Sequence, residues 1–233
     1  MVQPAKDLLL SSGFLAFARH VGVLHAFEQT EIPVAAICGT SSGALVGALW
    51  AAGLRGNALL ELLQSRPPWR LLRPSPTPWR GLMGMAALQE FLRPHLPERF
   101  EDLQTPLAVG VVVGKRHRLV TAGPLLPAVC ASCAMPYVFE PVRLGDDWCQ
   151  DGGARDRLGL DAWRAWRPGR QAWAHQVARS AGVDVLADTT GVTLIHTPRS
   201  GASFWSLGEF PAQAVEAREL ALKVLQSAAN AAN

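Results

Sequence analysis

Lysine is scarce in this chain, with three residues against nineteen arginines. We read that imbalance mainly as genomic composition. Acidic residues offset most of the positive charge and leave a net charge of +3. That is too small to mark a nucleic-acid-binding surface, so no nucleic-acid partner is expected. Charged residues are also few, 18% where about 25% is usual. With 49% hydrophobic residues over 233 positions, the composition excludes a disordered chain and allows one sizeable core. Cysteine is sparse, at positions 38, 130, 133 and 149. Cys130 and Cys133 have C-x-x-C spacing, but a zinc site would want a second pair and only Cys149 lies near in sequence. No metal is therefore expected. The cysteines read as small apolar residues in and around a buried helix. Four cysteines in a chain this long do not make a disulfide framework, which favours a reducing, cytoplasmic compartment.

Long apolar runs are missing too. No stretch reaches the roughly 18 uninterrupted apolar residues that a membrane span needs. The run from Leu8 to Ala18 follows Lys6 and ends in Ala-Phe-Ala, like a secretion signal. Asp7 abuts it, however, and Ser11-Ser12-Gly13 breaks it, so a strand, a turn and a helix are expected instead.

What is present is an alternation of strand and helix. Asp7 to Ser11 is a short apolar strand. Leu15, Ala18, Val21, Leu24 and Phe27 recur at helical spacing over 15–28. Ile32 to Cys38 is a second apolar strand, and Ala44 to Ala52 a helix closed by Gly53. This order predicts a parallel sheet covered by helices. Residues 65–81, rich in Pro, Trp and Arg, predict a long irregular excursion. Further on, a helix is expected over 86–96 and a β-branched strand over 106–113 paired with 118–121. A helix over 125–134 and a hairpin joining 142–144 to 148–150 come next. A helix over 161–181 interrupted near Pro168-Gly169, a strand over 192–196 and a terminal helix over 211–228 complete the list. No repeat or linker divides the chain, so residues 1–233 are expected to form one domain.

Two motifs carry chemistry. Gly39-Thr40-Ser41-Ser42-Gly43 joins an apolar strand to an apolar helix, the setting of a nucleophile elbow. The serine stands at a helix N-terminus, where free N–H groups favour developing negative charge. A Cβ at Gly39 or Gly43 would collide with neighbouring backbone in so tight a turn. A serine hydroxyl needs a base. His175 or His196 could serve in an α/β-hydrolase arrangement, but such an elbow usually follows several strands and here only one precedes Ser41. The second motif is Asp151-Gly152-Gly153, an Asp at a strand end with open backbone around its carboxylate. Alone it is also an ordinary Asp-Gly turn.

Together these features resemble the patatin-like phospholipase family. Leu8-Leu9-Leu10-Ser11-Ser12-Gly13 and His20-Val21-Gly22-Val23-Leu24 look like its opening strand and helix. Gly39–Gly43 matches its G-x-S-x-G, Ala131 to Phe139 looks like its A-S-x-A-x-P-x-x-F helix end, and Asp151-Gly152-Gly153 matches its D-G-[AG]. The resemblance implies a three-layer α/β/α sandwich with a mainly parallel sheet. It also implies a lipid or other acyl-ester substrate, a Ser41–Asp151 dyad working without histidine through an acyl-enzyme, and no cofactor. It implies an oxyanion hole from the loop after the first strand, here Gly13 and Phe14, together with Ser42. The family's glycine-rich loop is altered, since Ser12, Phe14 and Phe17 replace three glycines and Ala16 the basic residue, leaving Gly13 alone and Arg19 as the nearest positive charge. That departure admits a second expectation, an impaired member acting in lipid binding or regulation. Trp69 and Trp79 with Arg66, Arg70, Arg73 and Arg80 suggest peripheral membrane contact through residues 66–81, beside a packed surface loop as the simpler reading. Trp163 to Trp173 reads as an amphipathic helix face. The sequence says nothing of oligomeric state.

Overall fold

The computed structural model describes residues 5–179 and 188–231. Strand β1 (Lys6–Leu10) leads into α1 (Phe17–Gln29), β2 (Val34–Thr40), α2 (Ser42–Ala51) and α3 (Gly56–Gln64). The excursion follows, with a 3-10 turn at Pro68–Leu71 and the two-residue strands β3 (Arg73–Pro74) and β4 (Met83–Gly84). Next come α4 (Ala86–Leu92), β5 (Leu107–Val113), β6 (Arg116–Val120), α5 (Leu125–Ser132), β7 (Val142–Leu144) and β8 (Asp147–Asp151). The chain ends with α6 (Leu160–Trp166), β9 (Ala172–Val177), β10 (Val192–Thr197) and α7 (Phe210–Ala231).

The main sheet runs β10-β9-β1-β2-β5-β8-β7, with β6 also on β5. The five strands from β10 to β5 are parallel; β6 and β8 pair antiparallel with β5, and β7 pairs antiparallel with β8. Helices cover both faces, giving the three-layer α/β/α architecture. This explains why the strands are continuously apolar rather than alternating. Leu8, Leu10, Ile37, Val109 and Trp173 point into the larger core, against α1, α2, α5 and α7. Leu9, Cys38, Ala108, Ala172 and Ala174 point to the other face, where α6 lays Leu160 and Trp163 on them. Leu8, Leu9 and Leu10 are all fully buried, worth about 1.5–3 kcal/mol each relative to exposure. Asp7 is buried as well. Its carboxylate accepts hydrogen bonds from Trp163 Nε1 at 3.0 Å and from Arg167 Nε at 3.1 Å, which ties β1 to α6.

Three expectations change. The helix expected over 161–181 stops at Trp166, and Ala172–Val177 is strand β9. Locally Ala-Trp-Ala-His-Gln-Val suits a helix, but all six residues are buried between β1 and β10, and tertiary pairing overrides the weak propensity. Residues 180 and 181 of that expected helix lie outside the described residues. Of its tryptophans, Trp163 faces inward from a helix and Trp173 from a strand. The excursion at 65–81 is not wholly irregular, because β3 and β4 pair antiparallel and Met83 bridges to Phe139. Helix α2 also begins at Ser42, two residues before the apolar run that signals it.

Candidate active site

The meeting of Ser41 and Asp151 is set by strand β5. Its residues 109–113 pair with β6 along one edge. The other edge is shared end to end. Strand β2 occupies it up to Thr40 opposite Gly110, and β8 arrives antiparallel to place Asp151 opposite Val111. Residues more than a hundred apart in sequence therefore emerge side by side. Gly152 has to lie against that junction, since a Cβ on it would come 2.6 Å from the Gly110 carbonyl oxygen.

Ser41 turns the chain from β2 into α2 with φ 54° and ψ −120°, a conformation that costs a non-glycine residue about 1–3 kcal/mol. The surroundings hold it there. Its N–H donates to Ser132 Oγ at 2.8 Å, and Ser132 Oγ donates in turn to the Gly110 carbonyl at 2.6 Å. Its carbonyl accepts from the Leu45 N–H and the Cys133 thiol. Burial first, and then the neighbouring Asp151 charge, keep that thiol protonated well above its ordinary range. At Gly43 a Cβ would run into the Leu10 carbonyl, so only glycine lets α2 start this close to β1. The Ser42 N–H, in the first turn of α2, has no intrahelical partner and opens toward the positive end of the helix.

Asp151 is buried, and its backbone N–H is tied to the Ala134 carbonyl at 2.9 Å. Its Oδ1 accepts from the Gly153 N–H at 2.8 Å. Burial raises its pKa to about 6, against the opposing pull of hydrogen bonds from the Ser41 side chain and the Gly153 N–H. A carboxyl so tuned can take a proton near neutral pH and give it back.

Ser41, Ser42, Asp151, Gly153, Gly13 and Phe14 all line one cavity of about 440 Å³. Gly39, Gly43 and Gly152 stand behind it in the turns. Leu63 from α3, Leu71 from the excursion, and Leu88 and Phe91 from α4 give the cavity an apolar wall. Among the described residues, the N–H groups of Gly13 and Phe14 have no hydrogen-bond partner. The Phe14 ring packs edge-on against Phe204, with centroids 5.0 Å apart. Arg19 faces away from the cavity and is buried against α7, where it pairs with Glu216. The cation beside the loop is Arg157, which in the sequence stands out only because Asp156-Arg157 takes the place of an Asp-Asn pair common in the family it resembles.

The histidines lie away from the cavity. His196 is exposed on β10, and no histidine lines the cavity among the described residues. Instead His20 and His175 form a buried row behind the elbow. It runs from Ser42 Oγ to His20 Nε2 at 3.3 Å, His20 Nδ1 to His175 Nδ1 at 2.9 Å, and His175 Nε2 to Thr197 Oγ1 at 2.8 Å. Burial lowers the pKa of His20 to about 3 and that of His175 well below its ordinary value. Both rings are neutral in the folded protein and charge only on unfolding. Their stability contribution is thus present above pH 6.5 and is lost as the pH falls toward the folded pKa. Each adds up to about 1.4 kcal/mol per pH unit. Asp151 acts oppositely between about 6 and 3.8, but two histidines outweigh one carboxyl. Urea denaturation should therefore show stability falling from pH 6.5 to 4. A flat profile would mean the rings are not held neutral.

The family model described as patatin-like phospholipase matches residues 8–162. Over 160 residues the chain is 31% identical to uncharacterized NTE family proteins of Mycobacterium tuberculosis and Mycobacterium bovis, covering 66% of this chain and 44% of theirs. It therefore spans less than half the length of these relatives. VipD from Legionella pneumophila has a similar structure, with a TM-score of 0.59 at 14% identity over 96% of this chain and 67% of that one. ExoU in its complex with SpcU from Pseudomonas aeruginosa gives 0.51 at 17% identity over 96% and 52%. At such identities the likeness speaks for the fold.

Proposed function

Because this chain belongs to the patatin-like phospholipase family, we propose that it hydrolyses lipid acyl esters with Ser41 as nucleophile and Asp151 as base. The carrying observation is Ser41 on a positive-φ elbow beside a buried carboxyl, at the wall of an apolar cavity. The acyl chain lies along Leu63, Leu88 and Phe91 with the ester carbonyl at Ser41. Asp151 takes the hydroxyl proton as Oγ attacks the carbonyl carbon. The oxyanion is received by the N–H groups of Gly13, Phe14 and Ser42, and such donors are worth about 2.7–4 kcal/mol each. The ester C–O bond then breaks, and the leaving alkoxide takes the proton from Asp151. In the second half Asp151 accepts a proton from water as its oxygen attacks the acyl-enzyme, and then returns that proton to Ser41 Oγ as the acyl–oxygen bond breaks, releasing the acid and restoring both the serine hydroxyl and the carboxylate. No metal or cofactor enters these steps. Hydrolysis of p-nitrophenyl butyrate by wild type but not by Ser41→Ala tests the reading.

The altered loop favours a second reading, a lipid-binding or regulatory member with an inert site. A serine-reactive fluorophosphonate separates the two, since only a live nucleophile takes the label.

We further propose that the excursion over residues 66–81 meets the lipid surface. Trp79 is 80% exposed and Trp69 45%, with Leu82 exposed beside them. Tyr137 is 88% exposed, and its carbonyl accepts from the Leu82 N–H. Arg70 and Arg80 stack over the rings of Trp69 and Trp148, which keeps positive charge among the aromatics. No described helix is long and apolar enough to cross a membrane, so contact through this excursion is peripheral. Changing Trp69 and Trp79 together to Ala should weaken co-sedimentation with anionic vesicles about tenfold or more. Unchanged binding would remove the excursion from the lipid contact.

A further inference from the structure

The loop after β1 has no basic residue of its own, yet a guanidinium holds it from the other half of the chain. Asp156 Oδ1 accepts from the Leu158 and Gly159 N–H groups at 3.1 and 2.8 Å, which fixes the turn that carries Arg157. The Arg157 carbonyl accepts from the Ser12 N–H at 2.8 Å. Its Nη2 donates to the Ser12 carbonyl at 2.6 Å and to the Val177 carbonyl at 2.7 Å, and its Nε reaches Ser12 Oγ at 3.3 Å. Ser12 is thus gripped on both sides of its own backbone, at the wall of the cavity that holds Ser41.

The grip acts on the next peptide unit. In a trans peptide the C=O and the following N–H are antiparallel, so fixing the Ser12 carbonyl fixes the direction of the Gly13 N–H. Glycine would otherwise let that unit rotate cheaply, because its φ is unrestricted. We infer that Arg157 is a positioning residue for the proposed hydrolysis, locking the Ser12–Gly13 peptide so that the Gly13 N–H stays aimed at the oxyanion. A side chain bridging Ser12 and Val177 does from across the sheet what a residue within the loop does not. Its donation also polarises the peptide and strengthens the N–H as a donor. The role rests on the hydrolase reading above.

The test compares wild type, Ser41→Ala, Arg157→Met and Arg157→Lys by p-nitrophenyl butyrate kinetics, thermal melting and amide hydrogen exchange. Arg157→Met should lose about 100-fold in kcat with KM within about threefold, as for a missing oxyanion donor. Exchange should rise over residues 11–17 and stay unchanged over 42–51. Arg157→Lys keeps the charge but cannot span both carbonyls, so its kcat should fall between the two. If the melt shows Arg157→Met unfolded, Arg157→Lys is read in its place and a kcat equal to wild type overturns the role. In a turning-over enzyme, a folded Arg157→Met with kcat within threefold of wild type overturns the positioning role alone. A wild type no faster than Ser41→Ala contradicts the hydrolase reading, and the role falls with it.

Discussion

Ser41→Ala is expected to lower ester turnover about ten-thousandfold or more, to the rate of the bare cavity. Asp151→Asn should lower it by about 10²–10⁴, because the serine then lacks its base while the oxyanion donors remain. The two losses should not add, since nucleophile and base act in one step. The double variant is expected to match Ser41→Ala in steady-state kinetics. His196→Ala should leave turnover within about twofold, because that ring is exposed on β10 and outside the cavity. A collapse of activity in His196→Ala, with Asp151→Asn unaffected, would point to a histidine base.

The second large effect couples activity to stability through the Asp151 carboxyl. It must be ionised to act as base, and burial raises its pKa to about 6. The pH profile of kcat/KM should therefore rise tenfold per unit below about 6 and level above it. Stability runs the other way. The folded state keeps the proton up to about pH 6, whereas the unfolded chain releases it near the ordinary 3.8. The stabilising contribution is full below pH 3.8 and is gone above about 6. At roughly 1.4 kcal/mol per unit, a buried ionised Asp151 costs about 3 kcal/mol at pH 8. Asn keeps the acceptor for the Gly153 N–H without the charge. Asp151→Asn should thus be more stable than wild type at pH 8, by up to about 3 kcal/mol in urea denaturation, and equal to it near pH 3.5. A dead variant that is also less stable at pH 8 would mean the carboxylate is solvated or paired.

How much of this can be read from the chain depends on how local the cause is. The elbow at Gly39–Gly43 is legible because a strand-to-helix turn writes its steric demands into five consecutive residues. The apolar strands are legible because both faces of the sheet are covered. Asp151 taken alone is an ordinary Asp-Gly-Gly turn, and only its order after the elbow marks it out by resemblance. What brings it to Ser41 is the shared edge of β5, a pairing register with no local signature. Ser132, His20 and His175 fall within or beside the stretches singled out in the sequence, but what they and Arg157 touch is not legible, for the same reason. His20 and His175 meet across 155 positions and Arg157 and Ser12 across 145, separations that no local pattern records. Arg19 misleads by nearness, being close in sequence yet turned toward Glu216. Strand β9 is misread because its alanines suit a helix and only its neighbours make it a strand. The excursion over 65–81 shows its Trp and Pro plainly, but not that the stretch around it walls the cavity with Leu63, Leu71 and Phe91.

A Ser41 nucleophile activated by Asp151 in this cavity should react covalently with a phosphonylating probe. The most direct measurement is the intact mass of the protein after incubation at pH 8 with a fluorophosphonate, followed by peptide mapping. A single adduct on Ser41 is expected in wild type, with slower labelling in Asp151→Asn and none in Ser41→Ala. A folded wild type that takes no label, or takes it on another residue, would contradict the account.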